Sequence, residues 1–174
     1  MDCPVLNSEL YTKYSYRVLV YNLSGVFLVV IKKKLYALRK YLFIGGGGFF
    51  GAVARVLLKK LMLVYPLSHF PYVTLFINIS GSFFLALFIT LALDLWELDS
   101  DIRLGVATGF FGAYTTFSAF CKETVDLSIQ GAYTFALFYM VNSVVLGLLA
   151  TYCGILIARK IILIVTKEEI DETL

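Results

Sequence analysis

The chain has 174 residues, of which 60% are hydrophobic and 16% charged, with a formal net charge of +3. Soluble domains sit near about 45–50% apolar residues, and so few charges cannot cover the surface of a soluble fold of this size. A mean hydropathy of +0.84 therefore excludes a soluble enzyme or binding module, and the small net charge gives no footing for nucleic-acid binding.

The N-terminal 40 residues hold one apolar stretch, Tyr16 to Ile31, followed by Lys32, Lys33 and Lys34. Its charges come after the apolar core, the reverse of a secretory signal, so this extension is left without a functional role. The first clear span is Tyr41 to Leu58, "YLFIGGGGFFGAVARVLL", flanked by Arg39 and Lys40 before it and Lys59 and Lys60 after it. A loop with Pro66 and Pro71 leads into a second span, Tyr72 to Leu93. The acidic stretch "DLWELDSD" that follows belongs in water. A third apolar run extends from Ile102 to about Thr124, and after "DLSIQG" a fourth extends from Ala132 to Ala158, where Arg159 and Lys160 stop it. The chain reads as one compact all-α domain, since its length allows about four or five spans at roughly 20 residues each. With the extension set aside, Lys and Arg differ little between the two faces of the membrane, a weak bias that permits insertion both ways round.

Cys3, Cys121 and Cys153 have unrelated spacings and His69 is the one histidine, so neither a disulfide framework nor a histidine metal site is expected. Polar groups inside hydrocarbon need partners. Asn78 lies mid-way along the second span with Ser82 four residues on, on the same face. Such a pair serves either as interhelical glue or as a set of donors for a solute. Gly47 with Gly51, and Gly105 with Gly109, have the spacing that lets helices approach closely. The run Gly45 to Gly48 is not a phosphate loop, because no Gly-Lys-Ser/Thr follows. Arg55, near the end of the first span, either snorkels to the headgroups or makes an electropositive vestibule. Carboxylates are absent from the central portions of the spans, apart from Glu123 and Asp126 near the end of the third. Cation and proton transporters commonly use one there, so this inventory favours an anion or a neutral solute.

The stretch "GAYTTFSAFCKE", residues 112–123, places Tyr114, Thr115 and Thr116 directly after Gly112 and Ala113. These are weak helix formers, and a break in the third helix is expected here. Backbone carbonyls freed at a buried break can hold a cation. Phe117 and Phe120, three apart, share a face, and an aromatic ring has a positive edge that attracts an anion.

Three segments, "GGGGFFGAVAR", "TLFINISGSF" and "GAYTTFSAFCKE", resemble in order the motifs of the Fluc, or CrcB-like, fluoride channels, and the likeness runs from about Gly45 to Gly154. The resemblance implies a four-helix transmembrane channel domain at 41–160 with a broken third helix, an N-terminal extension at 1–40 and a solvated tail at 161–174. It implies an antiparallel, dual-topology homodimer in a prokaryotic plasma membrane, with two fluoride paths and one structural sodium ion. By motif, Asn78, Phe117, Ser118, Phe120, Tyr139 and Ser143 would line the path. Arg55 would stand in the vestibule, and the carbonyls of Gly112 and Thr115 from both subunits would hold the sodium. Ala113 stands where the family has a second glycine, and Ala119 where it has a threonine between the phenylalanines. Competing readings are a small four-helix multidrug exporter, which needs a glutamate in the first span that Tyr41 to Leu58 lacks, and an assembly subunit that uses Asn78 and the glycines for packing alone. No nucleophile–base pair suggests an enzyme.

Overall fold

A computed structural model of the protein describes residues 34–35, 38–62, 70–96 and 98–173, with side chains through residue 167. The chain divides into two units, Met1–Arg39 and Lys40–Leu174. The apolar stretch expected between Tyr16 and Ile31 lies outside the described residues. The described residues are mostly helical, with no strand among them.

Four helical segments are long and apolar enough to cross a membrane. The first, α1, is Leu38–Met62. The second, α2, is Tyr72–Asp94; at about 1.5 Å per residue its 23 residues cross a hydrocarbon core of about 30 Å with little to spare. The third crossing is composite. It comprises α3 (Ser100–Leu104), a π-helical stretch over Gly105–Phe111, the single turn α4 (Gly112–Tyr114) and α5 (Phe117–Ile129). The fourth, α6, runs unbroken for 41 residues from Tyr133 to Thr173. Arg159 and Lys160 thus mark the end of the expected apolar span but not of the helix: two cations are good helix formers, and no glycine or proline follows them.

Local chemistry sets the ends. Pro71, with no N–H to satisfy, immediately precedes α2. Asp99 caps α3, its side chain accepting from the Asp101 N–H at 3.0 Å. Gly131, at φ +75°, makes the tight turn between α5 and α6. Its N–H donates to the Ser128 carbonyl at 3.0 Å, and the Ala132 N–H donates to Leu127 at 2.9 Å.

Packing follows the small residues. A Cβ on Gly47 would collide with the Gly105 carbonyl, and one on Gly51 with the Phe110 carbonyl. The glycine pairs thus seat α1 against the π-helical stretch backbone to backbone. A Cβ on Gly154 would fall at 2.5 Å from the Phe83 carbonyl, which marks a close approach of α6 to its main neighbour, α2. The buried cluster is Leu127, Ala136 and Tyr139, with Phe70, Leu75, Phe120 and Ala132 against it. Large apolar side chains such as Phe49, Phe50, Phe135, Leu148 and Leu163 face outward, as a membrane span requires and a soluble fold avoids.

Candidate functional site

The third helix breaks at Thr115 and Thr116, both extended, at φ −73°, ψ 159° and φ −148°, ψ 113°. Thr115 ends α4 by turning back on Phe111, whose carbonyl accepts both the Thr115 N–H at 3.0 Å and the Thr115 hydroxyl at 2.8 Å. Thr116 starts α5: its Oγ1 accepts the Ala119 N–H at 3.2 Å, the usual work of a threonine cap. Between these events the backbone of Thr116 has no helical partner, and Asn78 supplies one. Its Oδ1 accepts the Thr116 N–H at 2.8 Å, and its Nδ2 donates to the Thr116 carbonyl at 3.1 Å.

The diverted donors are those that a continuous helix would give to Gly112 and Thr115, four residues earlier in each case. The Thr116 N–H points to Asn78 instead of the Gly112 carbonyl, and the Ala119 N–H points to the Thr116 hydroxyl instead of the Thr115 carbonyl. Gly112 is also exposed, and a Cβ there would meet nothing within 4 Å. Among the described residues no group of three or more His, Cys, Asp or Glu could hold a metal, so carbonyls are the donors that a cation would meet at this break.

The break is moulded onto α2. Gly81 lets Thr115 and Tyr114 lie against that helix, since a Cβ there would meet the Thr115 methyl and, at 3.2 Å, the Tyr114 ring. Tyr114 is tied one turn away, its hydroxyl 2.9 Å from Ser80 Oγ. Beside the break is a cavity of about 260 Å³ lined by Asn78, Gly81, Ser82, Leu85, Thr115, Thr116 and Phe117. Ser82 donates back to the Asn78 carbonyl at 2.9 Å, so its oxygen rather than its proton is offered elsewhere. Ser118 Oγ lies 3.3 Å from Thr116 Oγ1.

From the cavity a file of rings leads along α5. Phe117, 77% exposed, has its ring centroid 5.7 Å from that of Phe120. Phe120 is in turn 5.2 Å from Tyr139. Tyr139 is fully buried, and its hydroxyl donates to Glu123 Oε2 at 2.9 Å. Ser143 donates to the Tyr139 carbonyl one turn along α6, at 2.7 Å. The expected residues Asn78, Thr115 and Phe117 thus line one cavity, with Ser118 at its edge and Phe120 and Tyr139 continuing from it. Arg55 is half-buried on α1 and is not part of that lining.

Two participants were not expected. Thr116 is the residue that Asn78 grips. Glu123, near the end of the third crossing, is a carboxylate held between helices, with Thr74 of α2 donating to its Oε1 at 2.7 Å and Tyr139 of α6 to its Oε2 at 2.9 Å. Both were readable. Thr74, Asn78 and Ser82 recur every four residues on one face of α2, and Glu123 follows Phe120 by three on α5.

The fold and this site define a multi-pass, all-helical membrane protein built round a broken helix whose break is held by a neighbouring helix. Over residues 42–155 the chain matches the family described as CrcB-like protein, Camphor Resistance (CrcB), and it belongs to that family. It is 42% identical over 118 residues to "Fluoride-specific ion channel FluC 2" of Moorella thermoacetica, covering 68% of this chain and 95% of that protein. It is 37% identical over 123 residues to "Fluoride-specific ion channel FluC" of Acidobacterium capsulatum, covering 71% of this chain and 98% of that protein. A protein of the same name from a Sulfurihydrogenibium species is 38% identical over 122 residues, covering 70% of this chain and 98% of that protein.

Proposed function

We propose that this protein is a fluoride-selective channel, not an enzyme, that lets fluoride run down its electrochemical gradient and so lowers cytoplasmic fluoride. The observation that carries the reading is the placement of Asn78 and Phe117 round one cavity at a helix break, with the ring of Phe120 next to that of Phe117, in a chain whose relatives are named fluoride-specific channels. Fluoride is small and strongly hydrated, so a path must replace its water with donors and yet release it. An Asn amide has two N–H donors. One goes to the Thr116 carbonyl, which leaves the second to offer to an ion in the cavity that Asn78 lines. The edges of Phe117 and Phe120 attract without the grip of a full charge. Ser118 extends this track, Tyr139 and Ser143 join it when their hydroxyls turn from Glu123 and from the Tyr139 carbonyl, and Arg55 draws anions to its mouth.

The working unit is an antiparallel homodimer of dual topology in a prokaryotic plasma membrane. Its support is the weak Lys/Arg bias between the membrane faces and the exposure of Gly112 and Phe117, which a second copy would cover. One structural sodium ion is held by the Gly112 and Thr115 carbonyls of both subunits, four oxygens in all by this count. The diverted Thr116 and Ala119 donors support that assignment.

The test is efflux from liposomes holding the purified protein, read with a fluoride electrode and with chloride as the control. Rapid fluoride release with negligible chloride release is expected; equal passage of both ions, or of neither, overturns the assignment. Single-cysteine labelling in intact cells, in a background lacking the natural cysteines, should find each terminus on both sides. One fixed orientation overturns the antiparallel dimer.

A further inference from the structure

The ring file does not end at Tyr139. Phe70, immediately before Pro71 and α2, sets its ring edge-on to Tyr139, with centroids 5.6 Å apart and planes at 84°. Its ring also meets Phe138 at 6.1 Å. Tyr139 reaches Glu123 only through a hydroxyl at the far end of a rigid ring, so a small tilt of that ring moves the oxygen out of hydrogen-bond range. An edge-to-face neighbour resists such a tilt, because the contact depends on the relative orientation of the two rings. Four residues on from Phe70, Thr74 holds the other oxygen of the same carboxylate. Phe70 therefore touches one of the two donors that hold Glu123 and leads, through Pro71, into the helix that carries the other.

We infer that Phe70 is a positioning residue for the ion path. It keeps Tyr139 upright, and through Tyr139 keeps the Glu123 charge drawn onto two donors and away from the neighbouring edge of Phe120. Without the ring, Tyr139 leans into the vacated space, Glu123 keeps a single donor, and a less compensated negative charge beside the file repels an incoming anion. The inference rests on the reading that fluoride passes Phe117 and Phe120.

The experiment compares the parent with Phe70→Leu, Phe70→Met, Phe70→Tyr, Tyr139→Phe and the double variant Phe70→Leu/Tyr139→Phe, by fluoride efflux from liposomes and by the infrared band of the Glu123 carboxyl. Leu and Met at position 70 should slow efflux by up to about tenfold, the factor to which an edge-to-face ring pair corresponds. Phe70→Tyr, which restores a ring, should run near the parent rate. The double variant should be no slower than Tyr139→Phe alone, because the hydroxyl through which Phe70 acts is already gone. Phe70→Leu should shift the carboxyl band in the same direction as Tyr139→Phe, a readout that needs no flux. Equal slowing of parent and Tyr139→Phe backgrounds, or a carboxyl band unchanged from the parent, assigns Phe70 to packing and overturns the inference. So does failure of both Leu and Met variants to give folded protein. A parent that passes no fluoride overturns the channel reading itself, and the band comparison then still decides whether Phe70 sets Tyr139.

Discussion

Asn78 closes a two-bond ring on the backbone of Thr116, accepting its N–H at 2.8 Å and donating to its carbonyl at 3.1 Å. A peptide unit between two helices, inside a membrane, would otherwise leave both groups without a helical partner at a cost of several kcal/mol. The asparagine is therefore part of the break before it is part of any path. Interhelical glue and solute donor, two readings that look exclusive from sequence, are compatible here because the amide has one N–H more than Thr116 uses.

Asn78→Asp separates the parts of that role. The carboxylate still accepts the Thr116 N–H, but its second oxygen faces the Thr116 carbonyl, acceptor against acceptor, and adds negative charge to the cavity. A lost bond with a buried acceptor left behind costs about 1–3 kcal/mol. Fluoride efflux should fall below detection, while gel filtration still finds folded protein. Efflux at the parent rate removes Asn78 from the path.

The glycines of α1 make a prediction with opposite signs on one helix. Gly51→Ala puts a Cβ into the Phe110 carbonyl, and Gly47→Ala puts one into Gly105. Backbone cannot step aside as a side-chain tip can, so both variants should push α1 off the π-helical stretch and cost more than 1–3 kcal/mol, roughly the range for overpacking. Gly45→Ala and Gly46→Ala meet nothing within 4 Å and should gain up to about 1 kcal/mol from helix propensity. Thermal unfolding in detergent, read by fluorescence-detected gel filtration, checks both. A loss at Gly51→Ala no greater than at Gly45→Ala refutes the close approach.

Much of this was legible in the sequence because the membrane simplifies the problem. Apolar runs ended by charges mark the spans, and "GAYTT" marks the break by its poor helix formers. The residues proposed for the path come from ordered motifs rather than from periodicity, which alone leaves Asn78 with two roles. The continuation of α6 to Thr173 escaped because charges that end a span do not end a helix. The holding of Glu123 escaped because its partners lie 49 residues upstream and 16 residues downstream. No local pattern shows that Thr74 and Tyr139 meet the same carboxylate. The grip on Thr116 is also a long-range bond, 38 residues apart, invisible until α2 and the break lie side by side.

The cation proposed at the break is testable through the cap of α5. Thr116 Oγ1 takes the Ala119 N–H away from the Thr115 carbonyl. Thr116→Val keeps the shape, removes the hydroxyl and leaves that N–H without its cap, loosening the turn whose carbonyls a cation would use. It also costs about 1 kcal/mol of helix cap, which Thr116→Ser should restore. Fluoride efflux by Thr116→Val should then need a higher sodium concentration than the parent, and density for a heavier replacement ion should lie between the Gly112 and Thr115 carbonyls of two copies. Full activity of the parent after exhaustive sodium removal, with no density there, excludes the site.

The ring file carries the sharpest test of ion passage. Phe117 and Phe120 stand 5.7 Å apart with planes at 34°, tilted rather than stacked, so their edges can serve a passing anion in turn. Phe117→Ile removes the ring edge from an exposed position and keeps an apolar side chain, so it should leave the fold intact; Phe120→Ile also removes a partner of the buried Tyr139 ring and should unfold somewhat more readily. Each should slow fluoride efflux at least about tenfold, the factor for a loss near 1.4 kcal/mol, which lies within the range of an aromatic contact. Phe117→Tyr keeps the ring edge and should pass fluoride at close to the parent rate. The comparison is made at equal protein-to-lipid ratio, with chloride in parallel. If Phe117→Ile passes fluoride as the parent does while Phe120→Ile is slowed only in proportion to lost folded protein, the rings pack the helix and the anion takes another route.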